Sequence, residues 1–322
     1  SPKAVLMVHP TYYGTAADMG IIKEAHRSGA AVIVDEAHGA HFKFDPRLPP
    51  SSLEAGGDIV VHGTHKTLGS LTQTGLLHLG SERVRAEDIK RCLSLLQTTS
   101  PSYILMASLD AMCFDLADGD LVKRAVDAAL LLREEVKKMP GFYCCEPKVL
   151  FDPTKIILGH RDMSGKFLGR FLRTKYGIYP ELEEEGFVLL MITVGDSPET
   201  VVKVVEALKD ISTRFSGEIK EKNLYKIKRG DAFYFFDELP QMILTPREAF
   251  FYRRRRKIPL SQSSGEVCGE MIVPYPPGIP VLLPGERISE SIVEYLSVSI
   301  NKGCHIQGLD RSKDPEIEIL EC

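Results

Sequence analysis

A lysine and an aspartate, each directly after an apolar segment, are the residues of this sequence best suited to chemistry. Asp35 ends one apolar run, and Lys66 follows another and comes directly after His65. A lysine in a partly dry pocket loses its proton more readily and can form a Schiff base with an aldehyde. A carboxylate can hold a proton on the nitrogen of a heterocycle, so the pair meets the requirements of a pyridoxal phosphate site. Taken singly, each residue also has a structural interpretation, as an exposed loop lysine and a helix-capping aspartate.

Short apolar runs that alternate with helical patterns must position these side chains. Strands are predicted at residues 3–9, 30–34, 58–61 and 75–79, with a helix at 17–28. This alternation predicts an α/β fold with a mainly parallel sheet and helices on both faces. Ligands of such sheets bind at the carboxyl ends of the strands, where His9, Asp35 and Lys66 fall. The first strand is expected to be buried.

The patterns that follow predict a smaller lobe and a third segment. Helices are predicted at residues 99–117, 122–138, 166–176 and 197–211, and strands at 152–158 and 186–194. The Lys-rich residues 212–232 are typical of a linker. The proline-rich residues 274–286 are incompatible with an interior strand or helix and predict a rigid extended connection.

Composition excludes several classes of protein. The 322 residues are 43% hydrophobic and 26% charged, which is typical of a globular chain of about two domains. The apolar runs are shorter than the roughly 18 residues that a membrane helix needs. A net charge of −4 gives no bulk attraction to nucleic acid or to anionic membranes. Seven cysteines without a CxxC motif favour a reducing, cytoplasmic setting, although a targeting segment upstream of Ser1 stays open.

Three weaker signals have ordinary explanations. His38 and His41 have HxxH spacing, but no third ligand follows at a familiar distance, so no metal site is expected. The basic run of residues 253–257 favours a solvated face or an oligomer contact over an anion or nucleic-acid site. Tyr12 and Tyr13 either pack on the sheet or line a pocket at the strand ends, and their position favours the pocket.

Several long motifs resemble those of the Orn/Lys/Arg decarboxylases, which have the aspartate-aminotransferase (type I) fold. The matching stretches are HPTYYG (9–14), VDEAHGAHF (34–42), GTHKTLGSLTQTGLLHL (63–79), LLQTTSPSYILMASLD (95–110) and PYPPGIPVLLPGE (274–286). They follow the family's order along nearly the whole chain. The resemblance implies a pyridoxal-phosphate-dependent lyase that removes CO2 from arginine, lysine or ornithine to give a polyamine-pathway amine.

The resemblance also implies roles for single residues. Lys66 would be the Schiff-base lysine, and Asp35 the partner of the pyridine nitrogen. Ala37 would pack against one face of the ring, and His38 would lie near the cofactor. His65 would lie by the phosphate and transfer protons.

Three further positions follow from the same resemblance. Gly63 stands where the family usually has serine, so its amide rather than a hydroxyl would contribute to phosphate binding. Thr98 would reach the phosphate of a neighbouring subunit's cofactor, which implies a homodimer or a larger oligomer. Glu270 is a candidate for binding the positively charged group at the far end of the substrate side chain.

By the resemblance, residues 1–135 are the C-terminal part of the cofactor-binding large domain, 136–231 a small α/β lobe with a linker, and 232–322 a C-terminal α+β domain. The family's phosphate loop and ring-stacking residue lie upstream of HPTYYG. The chain is therefore expected to belong to a longer protein, to work with a separate N-terminal chain, or to be a truncated relative. Two other functions stay open: a non-catalytic binding or regulatory subunit, and another type I reaction such as transamination or aldol cleavage.

Overall fold

The computed structural model describes residues 2–215, 239–275, 278–301, 303–310, 312 and 315–322. The chain divides into two units, residues 1–225 and 226–322. Most of the predicted linker, the boundary between residues 231 and 232, and Pro276 and Pro277 lie outside the described residues. The division into three domains stays a prediction.

The first unit begins with a four-stranded sheet. Its strands, in spatial order, are β1 (Ala4–Val8), β2 (Ala31–Asp35), β3 (Ile59–His62) and β4 (Leu76–Leu79). The first three strands run parallel and β4 is antiparallel to β3, which confirms the predicted mainly parallel sheet. The predicted strands agree with the observed ones to within two residues, because each apolar run is bounded by polar or glycine residues.

The two faces of this sheet differ. Helix α1 (Gly20–Arg27) packs Ile22 and Ala25 into a core with Val32, Val34 and Val60 of the sheet. The opposite face carries exposed apolar side chains, namely those of Leu6 (72%), Val8 (54%), Val61 (38%) and Leu77 (42%). Successive side chains of a strand point to opposite faces, so β1 is covered on only one of them. The expectation that β1 is a buried strand is therefore wrong for its second face.

One short helix lies between β3 and β4, and three longer helices follow β4. They are α2 (Thr64–Thr67), α3 (Ala86–Leu96), α4 (Tyr103–Asp115) and α5 (Asp120–Lys137). The predicted apolar face of α5 is confirmed, since Ala125, Ala128, Ala129, Leu132 and Val136 are all buried. Helix α3 was not predicted, and none of its residues is buried.

A second, antiparallel sheet completes the first unit. Its strands are β5 (Phe142–Cys144), β6 (Lys155–His160), β7 (Leu182–Glu183) and β8 (Val188–Met191), in the order β5-β6-β8-β7. Helices α6 (Gly165–Tyr176) and α7 (Pro198–Phe215) share one core with this sheet and with α5. The predicted strand–helix–strand–helix order after residue 150 is thus present.

The described residues of the second unit form short strands and two α-helices. They are α8 (Pro246–Phe251), β9 (Arg255–Pro259), β10 (Val267–Cys268), β11 (Val273–Tyr275), α9 (Glu290–Asn301), β12 (His305–Gln307) and β13 (Glu316–Leu320). One antiparallel sheet has the order β10-β13-β9, and β11 pairs with β12. Pro274 lies within β11, so this part of the proline-rich stretch is extended.

The basic run of residues 253–257 is engaged within the second unit. Arg255 donates to the carbonyl of Phe250 and forms an ion pair with Glu318 at 2.6 Å. Arg256 lies 3.7 Å from Glu266 and 3.4 Å from Glu321. Among the residues described, no helix is long and apolar enough to cross a bilayer.

Candidate functional site

The carboxyl ends of the parallel strands bring the predicted residues to one edge of the first sheet. Asp35 is the last residue of β2 and is in register with Val8 of β1 and Val61 of β3. Strand β3 ends at His62, and Gly63 leads directly into α2, which carries His65 and Lys66. The sheet topology therefore places the predicted amine and carboxylate at the ends of adjacent strands.

Asp35 is oriented by the loop that follows it. Its Oδ1 accepts a hydrogen bond from the amide of Ala37 at 3.0 Å, and the residue is exposed on the open face of the sheet. Gly63 lies close to the same loop: a Cβ there would be 3.0 Å from the carbonyl oxygen of Ala37 and 3.3 Å from the side chain of Lys66. A glycine at this position leaves room for the lysine to pass over the backbone.

Lys66 contacts a histidine. Its Nζ lies 3.0 Å from Nε2 of His38, in the loop after β2, and both residues are partly buried. The ring of Tyr12 meets the His38 ring edge to face, with centroids 5.2 Å apart. Burial and, to a smaller extent, the nearby charges of Lys155 and Lys66 together lower the pKa of His38 to about 3. His38 is therefore a neutral imidazole at neutral pH.

A second lysine occupies the other side of the same imidazole. Nζ of Lys155, the first residue of β6, lies 2.9 Å from Nδ1 of His38, and the residue is only 2% exposed. Burial lowers the pKa of Lys155 to about 8, although Asp152 and Glu181 act in the opposite direction. Sequence reasoning missed Lys155, which precedes the apolar residues 156–158 and was read simply as part of a strand.

Buried polar groups fix the segment that carries Lys155. The guanidinium of Arg133, on α5, is buried and donates to the carbonyls of Pro153 (3.0 Å) and Lys155 (2.7 Å). Nε2 of His41 lies 3.1 Å from Oδ2 of the fully buried Asp152. Burial alone would raise the pKa of Asp152, but His41 and hydrogen bonds from Thr154 outweigh it and lower the pKa.

The HPTYYG loop closes over this lysine. Gly14 has a φ of +94°, and a Cβ there would lie 2.8 Å from Cβ of Lys155. Only glycine combines this conformation with so close an approach. The Tyr12 hydroxyl donates to Glu181 at 2.6 Å, which fixes its ring beside His38. His9 is structural, because its Nδ1 accepts from the Ala17 amide and its Nε2 donates to the Pro50 carbonyl.

His65 is held by the loop after α2. Its Nδ1 lies 2.6 Å from the carbonyl oxygen of Thr74, so this nitrogen carries a proton and donates it to that oxygen. The hydroxyl of Ser70 donates to Thr64 at 2.8 Å, and that of Thr74 donates to Ser70 at 2.6 Å. These buried hydroxyls bond to one another and brace the loop.

Two of the predicted residues belong to other elements of the chain. Thr98 is exposed between α3 and α4, and its hydroxyl accepts from the Ser100 amide at 3.2 Å. Glu270 belongs to the second unit, where it accepts from the Glu318 amide at 3.3 Å and where burial raises its pKa. The roles assigned to both residues stay predictions.

Comparisons with known proteins point to one family. A family model described as "Orn/Lys/Arg decarboxylase, major domain" matches residues 1–158, and one described as "Orn/Lys/Arg decarboxylase, C-terminal domain" matches residues 231–312. The arginine decarboxylase of Bacillus subtilis is 34% identical over 99% of this chain, and that of Bacillus anthracis is 34% identical over 95%. The constitutive lysine decarboxylase of Escherichia coli is 24% identical over 96%.

Solved structures share the fold. The Escherichia coli constitutive lysine decarboxylase superposes with a TM-score of 0.83 at 21% identity, and the Francisella novicida lysine decarboxylase with 0.82 at 21%. Each likeness covers 99% of this chain but only 58% and 57% of those chains, respectively. The chain likewise spans 66% and 63% of the two Bacillus proteins.

Proposed function

The chain belongs to the Orn/Lys/Arg decarboxylase family, and on that premise we propose that it acts in the pyridoxal-phosphate-dependent decarboxylation of arginine, lysine or ornithine. The observation that carries the proposal is the placement of Lys66 and Asp35 at the ends of adjacent parallel strands. The arginine decarboxylases among its relatives make arginine the first substrate to test.

The donor set at the strand ends fits pyridoxal phosphate. Lys66 offers an amine for the aldehyde, and Asp35 an exposed carboxylate whose orientation the Ala37 amide fixes. His38 contacts the Lys66 amine, and the ring of Tyr12 packs against His38. The hydroxyls of Thr64, Ser70 and Thr74 bond to one another, so they do not form a phosphate cradle by themselves. The Gly63 amide and residues beyond this chain are the expected phosphate ligands.

In the proposed decarboxylation, the cofactor and the protein side chains would have different roles. Bound pyridoxal phosphate supplies a conjugated ring that accepts the electron pair left on the α-carbon when CO2 departs. Lys66 would hold the cofactor, because its amine can bond to the aldehyde carbon. Asp35 would keep a proton on the ring nitrogen by charge pairing, which near an effective dielectric constant of about 20 is worth a few kcal/mol. His65, whose Nδ1 is held by the Thr74 carbonyl, would return a proton to the α-carbon from Nε2.

The exposed surfaces of the first unit support an assembled active form. We propose a homodimer or larger oligomer in which Thr98 reaches a neighbouring subunit's cofactor, because Thr98 lies on the surface between α3 and α4. We also propose that further polypeptide, in the same or a separate chain, supplies the remaining phosphate and ring contacts. The free cysteines among the described residues are consistent with a cytoplasmic location.

The test is to attach the cofactor to Lys66 and follow CO2. We expect pyridoxal phosphate to give the protein a visible absorbance band that borohydride removes, leaving the label on the peptide that contains Lys66. Lys66→Ala is expected to lose the band and to reduce CO2 release from carboxyl-labelled arginine, lysine or ornithine by at least about 1,000-fold. Lys23→Ala, an exposed lysine on α1, is the matched control and should behave as wild type.

Two outcomes contradict the proposal. A protein supplied with its complete polypeptide that takes up no pyridoxal phosphate would be a non-catalytic relative. A protein that binds the cofactor at Lys66 but exchanges amino groups, and releases no CO2 from any of the three amino acids, would catalyse another reaction of this fold.

A further inference from the structure

An exposed carboxylate lies at the rim of the proposed cofactor site. Glu181 directly precedes β7, and its backbone amide donates to the carbonyl of Leu189 in β8 at 2.8 Å. Its Oε1 accepts the Tyr12 hydroxyl at 2.6 Å, and the residue is exposed. The backbone and one carboxylate oxygen are therefore held in place, whereas Oε2 has no hydrogen-bond partner among the residues that the structure describes.

A continuous line of contacts joins this carboxylate to Lys66. The Tyr12 ring meets the His38 ring edge to face with centroids 5.2 Å apart, and Nε2 of His38 lies 3.0 Å from Nζ of Lys66. Two side-chain rings thus separate Glu181 from the amine. Arginine, lysine and ornithine carry their second cation several bonds away from the α-carbon, so a carboxylate at this remove from Lys66 can meet that cation.

Glu181 differs from the other carboxylates of residues 181–185. Glu183 and Glu185 form ion pairs with basic residues of α6. Glu184 is partly buried, and burial raises its pKa, which disfavours its charge. In the described part of the chain, Glu181 is bonded only to a neutral hydroxyl. Its negative charge is therefore available to a cation from solution.

We propose that Glu181 is a specificity-determining residue, whose carboxylate binds the ammonium or guanidinium at the far end of a basic amino acid that occupies the Lys66 site. Oε2 accepts from the substrate cation while Oε1 stays on the Tyr12 hydroxyl, and such charge-assisted hydrogen bonds are stronger than neutral ones. Glu36 and Asp152 are fully buried, and each lies beside a histidine, so neither can take this role.

The inference rests on the proposed function and assigns to Glu181 the role for which the sequence suggested Glu270. Glu181 belongs to the unit that carries Lys66 and is joined to it by the contacts of Tyr12 and His38.

Balancing the charge of a buried lysine is the alternative role for this carboxylate. Nζ of Lys155 lies 5.9 Å from the centroid of the Tyr12 ring, and Glu181 is one of two carboxylates that act on its charge. A carboxylate that only stabilised Lys155 would affect charged and uncharged substrates alike. A carboxylate that binds the substrate cation would affect only the charged ones.

The kinetic test compares the substrate that releases CO2 with its uncharged analogue. The analogue is citrulline for arginine, norleucine for lysine and norvaline for ornithine, each used as a competitive inhibitor of the protein with its complete polypeptide and pyridoxal phosphate. Glu181→Gln keeps an acceptor for Tyr12 but loses the charge. We expect the KM of the substrate to rise at least about tenfold, whereas kcat and the inhibition constant of the analogue stay within about threefold.

Glu185→Gln is the matched control, because it removes a charge from the same stretch that is paired with α6. Its KM should stay within about threefold of wild type, and both variants should keep the absorbance band at Lys66. An unchanged KM in Glu181→Gln, or a KM that rises together with the inhibition constant of the analogue, would overturn the proposal. A larger rise in Glu270→Gln would return the role to Glu270 and overturn it as well.

Calorimetry without pyridoxal phosphate separates this inference from the proposed function. Agmatine, cadaverine and putrescine are the amines that decarboxylation of the three amino acids gives. We expect at least one of them to bind wild type and Glu185→Gln about tenfold more tightly than Glu181→Gln. Butylamine, which lacks the second cation, should not distinguish the three proteins. Such a difference in a protein that releases no CO2 would support the cation site while the decarboxylase activity fails. Equal affinities, or binding to none of the proteins, would overturn the proposal.

Discussion

At the scale of single residues, the site depends on a buried carboxylate next to Asp35. Glu36 is fully buried, and its two oxygens accept hydrogen bonds from the Ser51 hydroxyl (3.0 Å), the Ser52 amide (2.8 Å) and the Ser52 hydroxyl. His62, at the end of β3, lies 3.3 Å away. Burial alone would raise the pKa of Glu36, but His62 and Ser52 outweigh it and lower the pKa. Glu36 thus ties the loop after β2 to the end of β3.

This carboxylate predicts a pH dependence of stability. A lowered native pKa stabilises the fold above the unfolded-state value of about 4.5, and this contribution is lost as the pH falls through the native value. Glu36→Gln places an amide group against donors, so we expect a loss of about 1–3 kcal/mol at pH 7 by urea unfolding. The variant should lose less stability than wild type below about pH 4.5.

Glu24→Gln is the matched control for that measurement. Glu24 is exposed on α1 and pairs only with the exposed Arg27, so its replacement should cost less than about 0.5 kcal/mol. Equal losses in both variants, or a Glu36→Gln protein as stable as wild type at pH 7, would contradict the role assigned to Glu36.

The sequence predicts some residues of the site better than others. Lys66 and Asp35 follow apolar strands, and a parallel sheet brings such positions to one edge, so their placement follows from local pattern. Lys155 comes from a separate sheet and reaches His38 only through tertiary packing. A lysine at the start of an apolar strand looks like a solvent-exposed end, and nothing in the linear pattern indicates that Gly14 and Arg133 enclose it.

At the scale of elements, two helices begin with glycine in different surroundings. Gly165 is the first residue of α6, and Ser164 caps that helix by accepting from the Phe167 amide. A Cβ at position 165 would overlap the carbonyl oxygens of Glu184 and Phe187. Gly20 is the first residue of α1, and a Cβ there would meet only the flexible side chain of Asp18, at 3.2 Å. The backbone before β8 therefore requires glycine in α6 but not in α1.

Alanine at these two positions gives a matched pair of variants. Gly165→Ala forces the turn before β8 away from α6, and we expect a loss of about 1–3 kcal/mol. Gly20→Ala keeps its neighbours in place and reduces the entropy of the unfolded chain, so its stability should be unchanged or higher by up to about 1 kcal/mol. Urea unfolding measures the free energy of unfolding of both variants. Similar unfolding midpoints would contradict the prediction, because they would show that the turn before β8 can shift to make room for the added methyl group.

The elements differ in how well the sequence predicts them. Helix α5 was found because its apolar residues recur at helical spacing on a face that is buried in the native fold. Helix α3 was not predicted, although Ile89, Leu93 and Leu96 recur in it at helical spacing, and none of its residues is buried. The strand character of β1 was clear from its apolar composition, but composition does not reveal whether both faces are covered within the chain.

At the scale of the whole molecule, the first unit exposes apolar side chains on one sheet face and on two helices. The open face of the first sheet carries Leu6, Val8, Val61 and Leu77. Helices α3 and α4 add exposed side chains, namely Leu95 (80%), Leu96 (86%), Tyr103 (80%) and Phe114 (84%). Soluble monomers rarely expose contiguous patches beyond a few hundred Å². These surfaces are consistent with the proposed assembly with further polypeptide.

Association of the isolated chain should therefore depend on the open sheet face. We expect the chain to sediment as associated species at micromolar concentration and to bind a hydrophobic dye, because water contact with this face is unfavourable. Leu6→Gln combined with Leu77→Gln should reduce both association and dye binding, at a cost of less than about 1 kcal/mol in unfolding free energy. The cost is small because these side chains are already 72% and 42% exposed.

Val60→Gln tests the opposite face of the same sheet. Val60 is fully buried against α1, so an amide there lacks partners and should cost more than about 2 kcal/mol without reducing association. Both variants introduce glutamine in place of apolar side chains. Only the Leu6→Gln, Leu77→Gln double variant removes exposed apolar surface, so only that variant should weaken association. A monomeric wild-type chain that binds no dye, or a double variant that associates as strongly as wild type, would place the contact surface elsewhere in the molecule.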